Sequence, residues 1–364
     1  VLESGVVFLV NRQHLLYNCG HLLNCGHLLL AGSKLLKERR LVQFHSGWNV
    51  LVRRLETGLV VLLLVIGLIL SLRTNTFFTP VNLFNILRAL SWIAVAAFGE
   101  ALVLIIGGID LSVGATMALA GMVSALVLQS GAGVAVAVGA GLLAAGLVGL
   151  VNGSVISKVK LPPFIVTLTT MSMVRGLVFG LARGWPLRDL PEGYRWLGQF
   201  DVGLGPWPIP MPVLIMLGLA LLVTLLLRQT VLGRYIYTLG RSEPALVASG
   251  VDVERILQVV YTLSSVLAGI GGIMMTARLG VAAPTAATGY ELDIIAAAII
   301  GGVSLFGSEG NVAGVLLGAL LMQMLRSGAV LFGFPVYWQQ AAMGLLILAA
   351  IIVDRRRRRI LQGT

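Results

Sequence analysis

The chain has 364 residues, 57% hydrophobic and only 11% charged, with a mean hydropathy of +0.95 and a formal net charge of +11. Soluble domains carry about 25% charged residues, so a soluble fold is excluded and the chain reads as an integral membrane protein. In that setting the basic excess marks cytoplasmic loops beside an anionic leaflet, not a nucleic-acid partner. Both cysteines (Cys19, Cys25) and all 4 histidines (His14, His21, His27, His45) fall before residue 46. From residue 46 on, a Cys or His nucleophile, a thiolate or imidazole metal site and a disulfide are therefore excluded.

Residues 1–45 read as an extension, poorly ordered or added by a start site placed too far upstream; they begin with Val and echo Asn18-Cys19-Gly20-His21-Leu22-Leu23 in the next six positions. The ligand types of the two Cys-x-His pairs suit zinc, but their spacing matches no structural zinc pattern, and no metal is expected. A membrane domain follows over 46–355, with a basic tail at 356–364. Apolar runs predict spans at 58–72, 83–106, 112–129, 134–151 and 164–181, then 211–227, 256–277, 292–300, 311–331 and 337–353. The predicted fold is thus all-α and polytopic, with about ten transmembrane helices. The polar stretch from Asn152 to Lys160 and the Trp-bearing stretch 183–210 (Trp185, Trp196, Trp207) read as connections. The eighth span is short enough to be a broken or re-entrant helix.

Orientation follows from charge. With the amino terminus inside, Arg53, Arg54, Lys158, Lys160, Arg228, Arg234, Arg241, Arg255 and the five arginines 355–359 are cytoplasmic, against Arg73, Arg183, Arg188, Arg195 and Arg278 outside. The opposite topology would invert the positive-inside rule, so both termini are expected in the cytoplasm.

No motif supports catalysis. The lysines are Lys34, Lys37, Lys158 and Lys160, and none follows a glycine, so a nucleotide-binding P-loop is absent. The carboxylates Glu100, Asp110, Glu291 and Asp293 are too sparse for a proton relay. Arg88, Arg175 and Arg326 lie in or near spans, where they pair with a carboxylate or snorkel to an interface.

Two glycine-rich junctions interrupt the apolar pattern. The first carries Gly107, Gly108, Asp110, Ser112 and Gly114; the second carries Gly301, Gly302, Ser304 and Gly307. Lipid cannot satisfy such backbone, so each junction leaves the bilayer or is shielded by protein. Plain helix-connecting turns account for the glycines equally well. By span parity both lie towards the cytoplasm, so they are not an inverted repeat. Asp110 reads as a capping or inter-helix hydrogen-bonding group at the head of the third span. The cytoplasmic stretch holding Gly233, Arg234, Gly240, Ser242, Glu243, Ala245, Gly250 and Val251 is the third feature. Pro244 in the first turn after Ser242, with Gly250 beyond the end, frames one short helix. An interfacial connector and a helix that docks into a partner's cleft both fit it.

The phrase Gly107-Gly108-Ile109-Asp110-Leu111-Ser112-Val113-Gly114, the Gly233–Val251 loop and Gly301-Gly302-Val303-Ser304-Leu305-Phe306-Gly307 occur in that order. Together with Pro162-Pro163-Phe164-Ile165-Val166-Thr167-Leu168, they resemble the permease subunits of bacterial ABC importers of the ribose/monosaccharide type, over about residues 50–355. The resemblance implies a multi-pass inner-membrane permease, homo- or heterodimeric, forming one pathway. It implies a cytoplasmic ABC ATPase docked on the Ser242–Ser249 helix and a periplasmic sugar-binding protein that delivers the solute. No cofactor is then bound by this chain, and ATP is used by the partner subunit. Arg241-Ser242-Glu243 departs from the small or amide residues usual in the family. The same architecture also carries other small solutes, such as furanosyl signalling molecules, nucleosides or amino acids. An ion-coupled secondary transporter is the alternative of another class, with Glu291 and Asp293 as its only coupling site.

Overall fold

In the computed structural model, residues 55–203 and 208–335 are described, followed by Trp338, Ala341, Ala342, Gly344, Leu345 and Leu348. The expected extension at 1–45, the basic tail, Trp207 and most of the tenth span lie outside the described residues. Among the described residues the apolar runs are helices, in the order α1 (Leu55–Arg73), α2 (Pro80–Ile105), α3 (Val113–Gln129), α4 (Val134–Val159) and α5 (Pro163–Leu181). After α6 (Glu192–Gln199) and the two short strands β1 (Asp201–Val202) and β2 (Ile209–Pro210) come α7 (Met211–Gln229), α8 (Val231–Arg241) and α9 (Glu243–Ala248). The remaining elements are α10 (Val253–Leu279), α11 (Tyr290–Ile300) and α12 (Val312–Leu331).

Local chemistry sets the helix ends. Thr79 caps α2 by accepting from the Asn82 amide, with Pro80 preset in the first turn. Asp252 caps α10 through the Arg255 amide, and Asn311 caps α12 through the Gly314 amide at 2.7 Å. β1 and β2 pair antiparallel, Asp201 opposite Pro210.

α2 and α10 form the centre: residues 90–105 of α2 are buried without interruption, whereas α1 and α5 are largely exposed. Small residues bring the helix backbones together, as expected where lipid removes the hydrophobic drive for association. A Cβ at Gly153 of α4 would stand 2.6 Å from the Gln258 Cα of α10.

Seven of the described helices are long and apolar enough to cross a membrane. α3, with 17 residues, and α11, with 11, rise only about 26 and 17 Å, short of a hydrocarbon core of about 30 Å. The expected spans at 112–129 and 292–300 are thus shorter helices than the other seven, and the last expected span lies mostly outside the described residues. α11 follows a connection held inside the bundle by Arg175, whose Nη1 donates to the carbonyls of Pro284 (3.1 Å) and Ala286 (2.7 Å). The stretch from Asn152, expected as a connection, continues α4 to Val159. Asn152 and Ser157 are buried among helices, Asn152 fully and bonded to Ser112, whereas Lys158 and Lys160 at its end are exposed.

Candidate functional site

The first junction begins where α2 ends. Gly107, at φ +83°, reverses the chain, and the amides of Gly107 and Gly108 donate back to Leu104 and Val103 (both 2.9 Å). Asp110 is buried, and its Oδ1 accepts from the Ser112 amide at 2.8 Å and the Ser112 hydroxyl at 2.5 Å. Its own amide donates to Glu100 Oε1 at 3.1 Å. Asp110 stands two residues before the helix cap, which is Ser112; it closes a local turn instead of capping α3 itself. The junction is then tied outwards, Asn152 Nδ2 to Ser112 Oγ at 3.0 Å and Thr167 Oγ1 to the Ile109 carbonyl at 3.0 Å. The junction, through Asp110, Ser112 and the Ile109 carbonyl, thus ties together α2, α3, α4 and α5. Gly108 lies against the buried Tyr261 hydroxyl, and Gly114 against Glu291 and the Ala287 carbonyl.

The second junction closes α11. Gly301 abuts the Gly314 carbonyl of α12, and Gly302 turns at φ +90°. The Ser304 hydroxyl accepts from the Phe306 amide at 3.0 Å, and the Ser304 amide donates to the Glu309 carbonyl at 3.0 Å. Gly307 turns at φ +83°.

The polar stretch between α7 and α10 is two helices, not one. α8 escaped the sequence reading, although Gly233, Ile236 and Leu239 are buried at helical spacing along it. Thr230 caps it through Gly233, and Arg234 is exposed. α9 has the expected frame: Ser242 accepts from the Ala245 amide at 3.3 Å, and Gly250 reverses the chain at φ +76°, after which the Val251 amide returns to Leu246. Of α9, only Leu246 is buried; Glu243, Ala245 and the rest face outwards.

These three motifs, far apart in sequence, converge on one point. The Ser308 amide donates to the carbonyl of Ile105, the last residue of α2, at 2.9 Å. Gly240 of α8 is wedged between them: a side chain there would collide with the Ile105 carbonyl and stand 2.7 Å from the Ser308 nitrogen. A Cβ at Gly307 would come within 2.8 Å of the Gly240 carbonyl. Tyr237 completes the contact, its hydroxyl donating to the Gly310 carbonyl at 2.8 Å. Burial pushes the Tyr237 phenol up, with Arg228 opposing, so it stays a donor. Sequence reasoning missed Tyr237, Ser308 and Gly310. Beside this node a cavity of about 590 Å³ opens between the first junction, the end of α4, α9 and the start of α10, with Lys160, Glu243 and Glu254 among its walls.

The arginines in the apolar runs are all engaged. Arg88 pairs with Asp201 at 2.5 Å, Arg326 pairs with Asp293 and covers the Tyr290 ring, and Arg175 holds the two carbonyls described above.

Residues 82–351 match the family of the branched-chain amino acid transport system / permease component. The chain belongs to that family. It is 40% identical over 307 residues to the ribose import permease protein RbsC of Escherichia coli strain K12, covering 83% of this chain and 94% of that protein. It is 37% identical to the ribose import permease protein RbsC of Bacillus subtilis strain 168, over 81% of this chain and 91% of that one. The D-allose transport system permease protein AlsC of E. coli is 35% identical, over 81% and 90%. No solved structure matches.

Proposed function

We propose that this chain is the membrane-spanning permease subunit of an ATP-driven importer, carrying a monosaccharide through a bacterial inner membrane. The observation that carries the reading is the likeness, over more than four fifths of this chain, to permeases named for a pentose and for a hexose. The family description names branched-chain amino acids, but the sugar permeases match more than four fifths of this chain at 35% identity or better.

With no Gly-Lys motif of its own, the chain depends on a separate ATPase for nucleotide hydrolysis. That subunit docks on α9, whose outward face supports the role. A second permease, identical or related, completes the pathway, and a periplasmic binding protein delivers the sugar at the opposite face. Both termini then lie in the cytoplasm, as the basic residues favour. Selectivity resides largely in the binding protein, which fits a bundle whose buried arginines are engaged by carboxylates and carbonyls. Competition for uptake in proteoliposomes holding the permease, ATPase and binding protein separates the solute classes. D-ribose or D-allose is expected to compete where L-leucine does not; competition by leucine alone overturns the sugar reading.

A further inference from the structure

Because only Leu246 of α9 is buried, a force on α9 is not absorbed where it lands. It passes through Ser242 into α8 as well as through Gly250 into α10, and α8, buried along one face at Gly233, Ile236 and Leu239, meets the α2 end and the second junction at Gly240 and Tyr237. The Tyr237 hydroxyl reaches out of the α8–α9 pair to the Gly310 carbonyl. Gly310 immediately precedes Asn311, the cap of α12. A pull there acts on the first turn of α12, and α12 carries α11 with it. Gly314 and Gly318 set the two backbones so close that a Cβ at either would strike α11 or its capping Gly301. Glycines turn the chain on either side of α11, Gly289 at φ +85° before it and Gly302 and Gly307 after it, and Gly333 at φ +68° follows α12. The α4–α10 pair is locked through Gly149 and Gly153, where a Cβ on either would strike the α10 backbone.

We infer that the Tyr237–Gly310 bond, beside the Ile105–Ser308 backbone join, is the link by which displacement of α9 moves the α11–α12 hairpin against the α4–α10 core. Tyr237 is thus a positioning residue for coupling. The inference rests on the reading of α9 as the ATPase-docking helix, and its test keeps the two apart. A hydrogen bond of this kind shifts a conformational equilibrium by a factor of about two to ten, without which the hairpin follows α9 poorly.

The test uses the full permease–ATPase complex with Cys19 and Cys25 replaced by Ser and spin labels at Val136 on α4 and Val330 on α12. Both positions are exposed, at the end of the bundle away from α9. A non-hydrolysable ATP analogue is expected to shift the label-to-label distance distribution. In Tyr237→Phe, which keeps the ring, the shifted population should fall by a factor of roughly two or more, with ATPase co-purification unchanged. A full shift in Tyr237→Phe, or no shift in the parent complex, overturns the link while docking stands. Loss of the ATPase from Tyr237→Phe alone makes the hydroxyl a docking group and also overturns it. Failure of the parent chain to hold the ATPase instead overturns the docking reading.

Discussion

Asp110 shows how one side chain can organise a membrane junction. A carboxylate in an apolar run must be satisfied by its neighbours, and Ser112, two residues on, supplies both donors. That much is legible from the residues, whereas Asn152 and Thr167 are not, because the partners arrive from helices far along the chain. Replacing Asp110 with Ala strands buried donors and should lower stability by about 1–3 kcal/mol, while Asp110→Asn, which retains a carbonyl acceptor, recovers most of it. Thermal unfolding of the purified protein checks the order, and equal midpoints for the two variants contradict it. Gly240 presents the opposite situation, where function lies in having no side chain. Gly240→Ala should cost about 1–3 kcal/mol through the forced clash with Ile105; an unchanged midpoint refutes the wedge. Neither this wedge nor the Ile105–Ser308 bond was legible, since contacts between backbones leave no residue type to read.

Among the elements, hydropathy located most spans correctly and failed where polarity was buried. Asn152 and Ser157 look like loop residues in an apolar sequence, yet they face other helices within α4. α8 was hidden for a related reason: it is amphipathic and short, and its apolar positions were read as an extended approach to α9. The depth of α11 was signalled only by its length. Its ion pair is informative, because removing the partly exposed Arg326 leaves the buried Asp293 charge unpaired in a low dielectric. Arg326→Leu should destabilise by about 3–5 kcal/mol, and the double variant Arg326→Leu/Asp293→Leu should regain much of that in the same unfolding measurement. No recovery in the double variant would show that the pair is not the reason. At α9, Gly250→Val places a β-branched residue at φ +76°, a conformation such residues rarely adopt. The variant is expected to insert normally and to lose the ATPase on affinity purification. Normal co-purification would rule out α9 as the docking helix.

At the scale of the whole molecule, a glycine-packed centre of α2, α3, α4 and α10 carries a hairpin of a short and a long helix. Two junctions and the α8–α9 pair meet beside it. The membrane class and helix order were legible because a bilayer leaves few solutions for an apolar chain. The meeting of the three motifs was not, because the sequence shows their order along the chain and not their distance in space. The arrangement suits a subunit that is moved by a partner rather than one driven by an ion gradient, since Asp293 is already paired with Arg326. The measurement that tests this most directly is D-ribose uptake into proteoliposomes, with and without the ATPase, under ATP or an imposed ion gradient. Uptake only with the ATPase, ATP and binding protein together is the predicted result. Gradient-driven uptake by the permease alone would contradict the account.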